Sequence, residues 1–253
     1  HNQVAFGNYC ALLPVNGKWI LIDAGPGDVS LPRPGATSTR GRSSLLRDIR
    51  DLSINIRDVE IVLLTHLYTE HAGGATHSTD AGRLLPTFPN ARYIAQKAAW
   101  EEASRPNERN AHLYDPQHLE PLMETNQLDL VDGVVEIAPG VHVSPAPGPT
   151  NGHQIALMER DGTTFCFLGS LAPTLLHLNP IIVSASDKSP ETTIVSKHET
   201  FERAIAESWQ VAPIGYDGWL TPPEFKRLII NYNAPVVPKE EKVATPEIVP
   251  SMA

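Results

Sequence analysis

The segment Thr65-His66-Leu67-Tyr68-Thr69-Glu70-His71-Ala72-Gly73-Gly74 gathers two imidazoles and a carboxylate within six residues, at His66, Glu70 and His71. Side chains of this kind can hold a divalent metal that acidifies a bound water. They can also exchange protons directly, as acid and base. The plainer alternative is a polar strand end whose histidines bond only to their neighbours. Thiolate zinc chemistry is excluded, because Cys10 and Cys166 form no CxxC pair. Both cysteines sit in apolar runs and read as buried free thiols rather than a disulfide. No GxGxxG follows the first strand, and the P-loop and GxSxG patterns are absent.

The histidines need a rigid element to hold them. Val59-Glu60-Ile61-Val62-Leu63-Leu64 is a dense apolar run, which predicts a strand over residues 58–65 buried on both faces, with His66 at its mouth. Ahead of it, residues 8–15 and 19–22 read as a hairpin around Asn16-Gly17, ending in Asp23-Ala24-Gly25-Pro26-Gly27. Residues 28–42 read as a long loop, and residues 43–52 as a helix with Leu45, Leu46, Ile49 and Leu52 apolar. Residues 93–104 read as a helix and 105–127 as loop or short helices. Strands are predicted at 128–131, 134–137, 141–144, 154–159 and 163–168, with Asp161-Gly162 turning between the last two. Residues 191–209 are the strongest late helix, opened by Ser189-Pro190 and striped by Ile194, Phe201, Ile205 and Trp209. Alternating strands and helices with added hairpins give an α/β class, a mixed sheet with helices outside it. One domain is expected over residues 1–233, followed by an extended Pro-rich tail over 234–253.

The chain has 253 residues, of which 41% are hydrophobic and 19% charged. That is enough to bury a sizeable core and too apolar for broad disorder. Its formal charge of -9, with no Lys/Arg stripe, makes nucleic acid and anionic membranes unexpected partners. No run approaches the roughly 18 apolar residues of a membrane-spanning helix, and a cytoplasmic location is expected. A small-molecule ligand is the expected partner, and homo-oligomerisation stays open.

Five further stretches follow one another in order. They are Leu21-Ile22-Asp23-Ala24-Gly25, Phe88-Pro89-Asn90-Ala91-Arg92-Tyr93, Pro147-Gly148-Pro149-Thr150-Asn151-Gly152-His153, Phe167-Leu168-Gly169-Ser170 and Ile214-Gly215-Tyr216-Asp217. With the histidine segment, they resemble the metallo-β-lactamase superfamily, in its lactonase-like and organophosphate-hydrolase-like branch. The family signatures concerned are Thr-His-x-His-x-Asp-His-x-Gly-Gly, Pro-Gly-His-Thr-x-Gly-His and Leu-Gly-Asp. The resemblance covers roughly residues 1–225. It implies an αββα fold, with two mixed sheets between outer helices, and a hydrolase lineage acting on lactones, esters or phosphotriesters.

The departures from that pattern carry the functional expectation. The resemblance implies that one metal is held at the positions of His66, Tyr68 and Pro149, and a second at those of Glu70, His71 and Tyr216. The aspartate that bridges the two metals corresponds to Ser170. Only His66 and His71 stand unaltered among these seven positions. Proline offers no side-chain donor, serine is a neutral and poor ligand, and tyrosines coordinate well only as phenolates. No metal cofactor is therefore expected beyond one weakly bound, zinc-like divalent ion. His66, Glu70 and His71 are its residual ligands, with His153 or Tyr216 as a fourth. Asp23 reads as a structural carboxylate at the pocket floor. Glu70 is expected to be buried and paired with His66, His71 or the hydroxyls of Tyr68 and Tyr216. No nucleophile is identified, since Ser170 has no assigned base. Two functions follow from this. One is a non-catalytic, ligand-binding relative of the hydrolases, and the other is a hydrolase with a mononuclear or metal-free centre.

Overall fold

A computed structural model describes residues 8–27 and 45–232. The expected loop at 28–42 and the tail from 234 lie outside the described residues. In chain order come β1 (Ala11–Val15), β2 (Lys18–Ile22), α1 (Leu45–Asp51), β3 (Val59–Leu63), α2 (Thr69–Ala72), β4 (Thr76–Ser78), β5 (Leu84–Pro86) and β6 (Arg92–Gln96). Then follow α3 (Lys97–Ser104), α4 (Glu120–Glu124), β7 (Leu128–Val131), β8 (Val135–Ala138), β9 (Val141–Pro145), β10 (Gln154–Arg160) and β11 (Thr163–Phe167). The last elements are α5 (Pro190–Ala206), β12 (Gln210–Ala212) and α6 (Pro222–Tyr232).

Two five-stranded sheets form, in the orders β1-β2-β3-β6-β7 and β12-β11-β10-β9-β8, beside a small β4-β5 hairpin. Period-two alternation builds the layers. Ile20, Ile22, Ile61, Leu63 and Ile94 of the first sheet meet Val141, Val143, Ala156, Met158 and Phe167 of the second in a shared inner core. The alternate residues face outward. Leu21, Val62, Tyr93 and Ala95 pack against Ile49 of α1, Ala99 of α3 and Leu122 of α4. Ile155, Leu157, Cys166 and Val211 pack against Phe201 of α5 and Phe225 of α6. The molecule is thus helix, sheet, sheet, helix in section. Both cysteines are free.

The helix predicted over 93–104 needs correction. Residues Arg92–Gln96 form a strand paired in parallel with β3 and β7, and the helix begins only at Lys97. Tyr93, Ile94 and Ala95 satisfy either period over so short a run, and the neighbouring strands decide for the sheet. The late helix stops at Ala206 rather than 209. Ser208 takes a positive φ of 57°, after which Gln210–Ala212 pairs with β11. β4, β5, β12, α2 and α6 had no counterpart in the sequence reading.

Candidate functional site

The site lies where several strands end. β2 leads directly into Asp23, β3 into Thr65 and His66, and β11 into Gly169 and Ser170. The ends of parallel strands commonly frame a binding crevice, because side chains there leave the ladder and face one another. The two sheets are tied at this edge by Gln154, whose backbone N–H donates to the Thr65 carbonyl and whose side chain donates to the Leu64 carbonyl, each at 2.8 Å. The loop after β2 is fixed to α2, with the Ala24 N–H donating to the His71 carbonyl at 2.8 Å.

Asp23 takes the left-handed conformation, φ 58°, which short polar side chains tolerate better than most. Its carboxylate is completely buried and accepts three bonds. Oδ1 takes the Thr65 N–H at 2.7 Å, and Oδ2 takes the Thr65 hydroxyl at 2.9 Å and His71 Nδ1 at 2.8 Å. The other nitrogen of His71, Nε2, lies 3.1 Å from Ser170 Oγ. Asp23, His71 and Ser170 are therefore one hydrogen-bonded series. Asp23 thus anchors both Thr65 and His71, and Ser170 has an imidazole within hydrogen-bond reach.

His66 and His153 are entirely buried beside this series. The single hydroxyl proton of Thr65 goes to Asp23, so His66 Nδ1 must donate to Thr65 Oγ1, 3.1 Å away. His153 Nδ1 likewise donates to the Ala146 carbonyl at 3.0 Å. Each ring then presents Nε2 as a bare lone pair, and neither Nε2 has a hydrogen-bond partner among the described residues. The His66 ring centroid lies 4.2 Å from that of His71 and 5.4 Å from that of His153.

The remaining candidate residues are divided by the structure. Tyr68 is buried, and its hydroxyl donates weakly to the carbonyls of Pro149 at 3.3 Å and Ser186 at 3.4 Å. Tyr68, Glu70, His71, Pro149 and Ser170 line a cavity of about 510 Å³, walled further by Arg109, Leu113, Pro173 and Ile214. Tyr216 is not among the cavity-lining residues and packs instead against the core under α5 and α6. Glu70 corrects an expectation. Its side chain is 48% exposed at the rim, with Oε1 3.7 Å from His71 Nε2, and Asp23 takes the buried partnership instead. The short α2 turns Glu70 outward while keeping His71 inside. Among the described residues, no group of three or more His, Cys, Asp or Glu is arranged to hold a metal ion.

The electrostatics follow the packing. Burial, then the charges of His71 and His153, holds His66 well below the usual imidazole range. Burial brings His153 down to about 4, against the Ala146 hydrogen bond and the Asp23 charge. Burial also opposes a charged His71, yet the charge and hydrogen bond of Asp23, with Glu70 behind them, outweigh it and raise its pKa. Burial and the charges of Glu102, Asp187 and Glu70 push the Tyr68 phenol up, so it stays neutral.

A stability prediction follows from these directions. His153 and His66 are neutral in the fold but charge more readily when unfolded. Their contribution is complete above pH 6.5 and is lost as the pH falls, for His153 towards about 4. His153 alone accounts for a loss on the order of 3 kcal/mol. His71 works oppositely, since its contribution is present below pH 6.5 and is lost as the pH rises through its raised pKa. Urea midpoints are expected to drop between pH 7 and pH 5. Midpoints that hold steady or rise over that interval would contradict the neutral, buried state of His66 and His153.

The layering and the placement of the site at the strand ends define a metallo-β-lactamase fold, and the chain belongs to the metallo-beta-lactamase superfamily, whose sequence profile matches residues 5–210. Among individual proteins, it is 26% identical over 165 residues to an N-acyl homoserine lactonase from a Bacillus species, covering 60% of this chain and 58% of that one. The match thus spans somewhat under two thirds of that relative's length. A probable metal-dependent hydrolase from Staphylococcus aureus superposes with a TM-score of 0.74 at 24% identity, over 87% of this chain and 83% of the other. A dizinc quorum-quenching lactonase superposes with a TM-score of 0.60 at 16% identity, over 80% and 70% of the two chains. At these identities the structural likenesses concern the fold. No helix among the described residues is long and apolar enough to cross a membrane.

Proposed function

We propose that this chain keeps the pocket of a hydrolase lineage but uses it without a two-metal centre, receiving a small carbonyl-bearing molecule of the ester or lactone kind. The observation that carries the reading is His71. Both of its ring nitrogens are already hydrogen-bonded inside the protein, Nδ1 to Asp23 and Nε2 to Ser170. The Nε2 lone pair therefore faces a neutral hydroxyl, where a two-metal centre needs a shared anion. The other donors do not fit two metals either. Pro149 has no side-chain donor, Ser170 and Tyr68 are neutral hydroxyls, and Tyr216 lies away from the cavity lining. The bridging negative charge that two adjacent cations require is therefore missing. The pocket remains, lined mostly by polar and charged residues, with Leu113, Pro149, Pro173 and Ile214 as its apolar part. The kinship to a lactonase supports a lactone or ester as the ligand class.

A second reading is a mononuclear metal hydrolase. The free Nε2 lone pairs of His66 and His153 favour it, since they are buried and lack partners. One measurement separates the two. Elemental analysis of the purified protein is expected to find well under one equivalent of zinc, iron, manganese or cobalt. One tightly held ion would support the mononuclear reading, and two would overturn the proposal. Added zinc is expected to leave hydrolysis of lactones, β-lactams and phosphotriesters at background. Combining Tyr68→His, Glu70→Asp, Pro149→His, Ser170→Asp and Tyr216→His tests whether the scaffold can still accept metals.

A further inference from the structure

We propose that Ser170 is a nucleophile, with His71 as its base and Asp23 as the residue that positions that base, giving the pocket a metal-independent acyl-transfer activity toward activated carboxylic esters. The proposal rests on the metal-poor reading of the site given above. Three features of the structure carry it, and the first is the hydrogen-bonded series itself. Ser170 Oγ is 3.1 Å from His71 Nε2, and His71 Nδ1 is 2.8 Å from Asp23 Oδ2. A hydroxyl within hydrogen-bond reach of an imidazole, itself oriented by a third group, is the arrangement that activates a serine.

The second feature is the tautomer. Asp23 is clamped by the Thr65 N–H and hydroxyl and can only accept. Neutral His71 must therefore carry its proton on Nδ1, which leaves the Nε2 lone pair facing the Ser170 hydroxyl. The third is access. Asp23 and His71 are buried, whereas Ser170 is half-buried and lines the cavity of about 510 Å³. The turn that presents it is sharp. Gly169 takes φ 53°, and a Cβ there would sit 2.9 Å from His153 Nε2 and 3.0 Å from Thr65. Only glycine lets the chain leave β11 so close to both side chains and still aim Ser170 into the cavity.

The reaction balances with water as the only co-reactant. Ser170 Oγ attacks the ester carbonyl carbon as its proton passes to His71 Nε2, and the carbonyl π pair moves onto oxygen. Collapse of this adduct breaks the bond to the leaving oxygen, which departs as the alcohol with the proton from His71. The product is an acyl ester on Ser170. Water then attacks that ester, gives its proton to His71 and releases the carboxylic acid. Ser170 recovers its proton from His71.

The test uses the whole purified chain in excess chelator, mixed with p-nitrophenyl acetate. The expected result is a burst of nitrophenol close to one equivalent and an acetyl group mapped to Ser170 by peptide mass spectrometry. Ser170→Ala, checked as folded by circular dichroism, is expected to lose both signals, while Ser170→Cys is expected to keep an acyl adduct at that position. Asp23→Asn is expected to lower the saturating acylation rate at least about 100-fold while leaving the half-saturating ester concentration within about threefold. A purely structural Asp23 would not separate those two quantities. A folded, metal-free protein with no adduct on Ser170, or with the acetyl group elsewhere, would overturn the proposal and leave the metal-poor reading standing. Tightly held metal, with an acylation that chelator abolishes, would overturn both.

Discussion

Replacing Asp23 with alanine is expected to destabilise the fold by about 3–5 kcal/mol, the largest effect of any single side-chain truncation at the site. The carboxylate is the acceptor for the Thr65 N–H, the Thr65 hydroxyl and His71 Nδ1, and none of these three groups reaches solvent. Truncation would strand all of them, each at the desolvation cost of an unpaired buried donor. It would also remove the anion that raises the His71 pKa. Stability from urea unfolding at pH 7 gives the measure. Asp23→Asn keeps the volume and one acceptor oxygen, so it is expected to cost roughly half as much. A loss below about 1 kcal/mol for the alanine variant would mean that this bonding does not hold the site together.

Gly152→Ala is expected to cost at least about 3 kcal/mol, or to prevent folding, although it adds only one methyl group. A Cβ at this position would lie 2.0 Å from the backbone nitrogen of Ala99 and 2.4 Å from its Cα. Those atoms belong to α3, so no rotamer change can relieve the contact, and either the helix or the segment carrying His153 must move. The same chain with Ala99→Gly added is a sharp control. It removes the Cβ contact at 2.6 Å but leaves the two backbone contacts, so it is expected not to restore stability. Thermal unfolding of both variants is the readout, and full rescue by Ala99→Gly would show that side-chain crowding, not backbone approach, sets the limit.

Much of the sandwich was legible in the sequence because its signals are local. The hairpin around Asn16-Gly17, the apolar strand leading to His66, and the Asp161-Gly162 turn between β10 and β11 all depend on neighbours within a few residues. Period-two alternation also states which residues of a strand share a face. It does not state which strand lies alongside, so the residues from Tyr93 read as a helix on their own, and the pairing with β3 and β7 makes Arg92–Gln96 a strand. Short elements such as Gln210–Ala212 depend on partners far along the chain, and they leave almost no local trace.

The sequence by itself determined the donor chemistry. Proline at 149, serine at 170 and tyrosines at 68 and 216 are facts of side-chain identity, and no folding changes the donor atoms they own. Only the tertiary structure decided which of the surviving groups meet. Asp23 and His71 are 48 residues apart and His71 and Ser170 are 99 apart, yet the packing of one sheet on the other brings them into one hydrogen-bonded series. The same geometry set Glu70 on the rim, though it stands next to His71 in sequence, because successive residues of α2 point in different directions. Pairing between strand ends depends on how the chain closes long loops, and sequence periodicity carries no record of that closure.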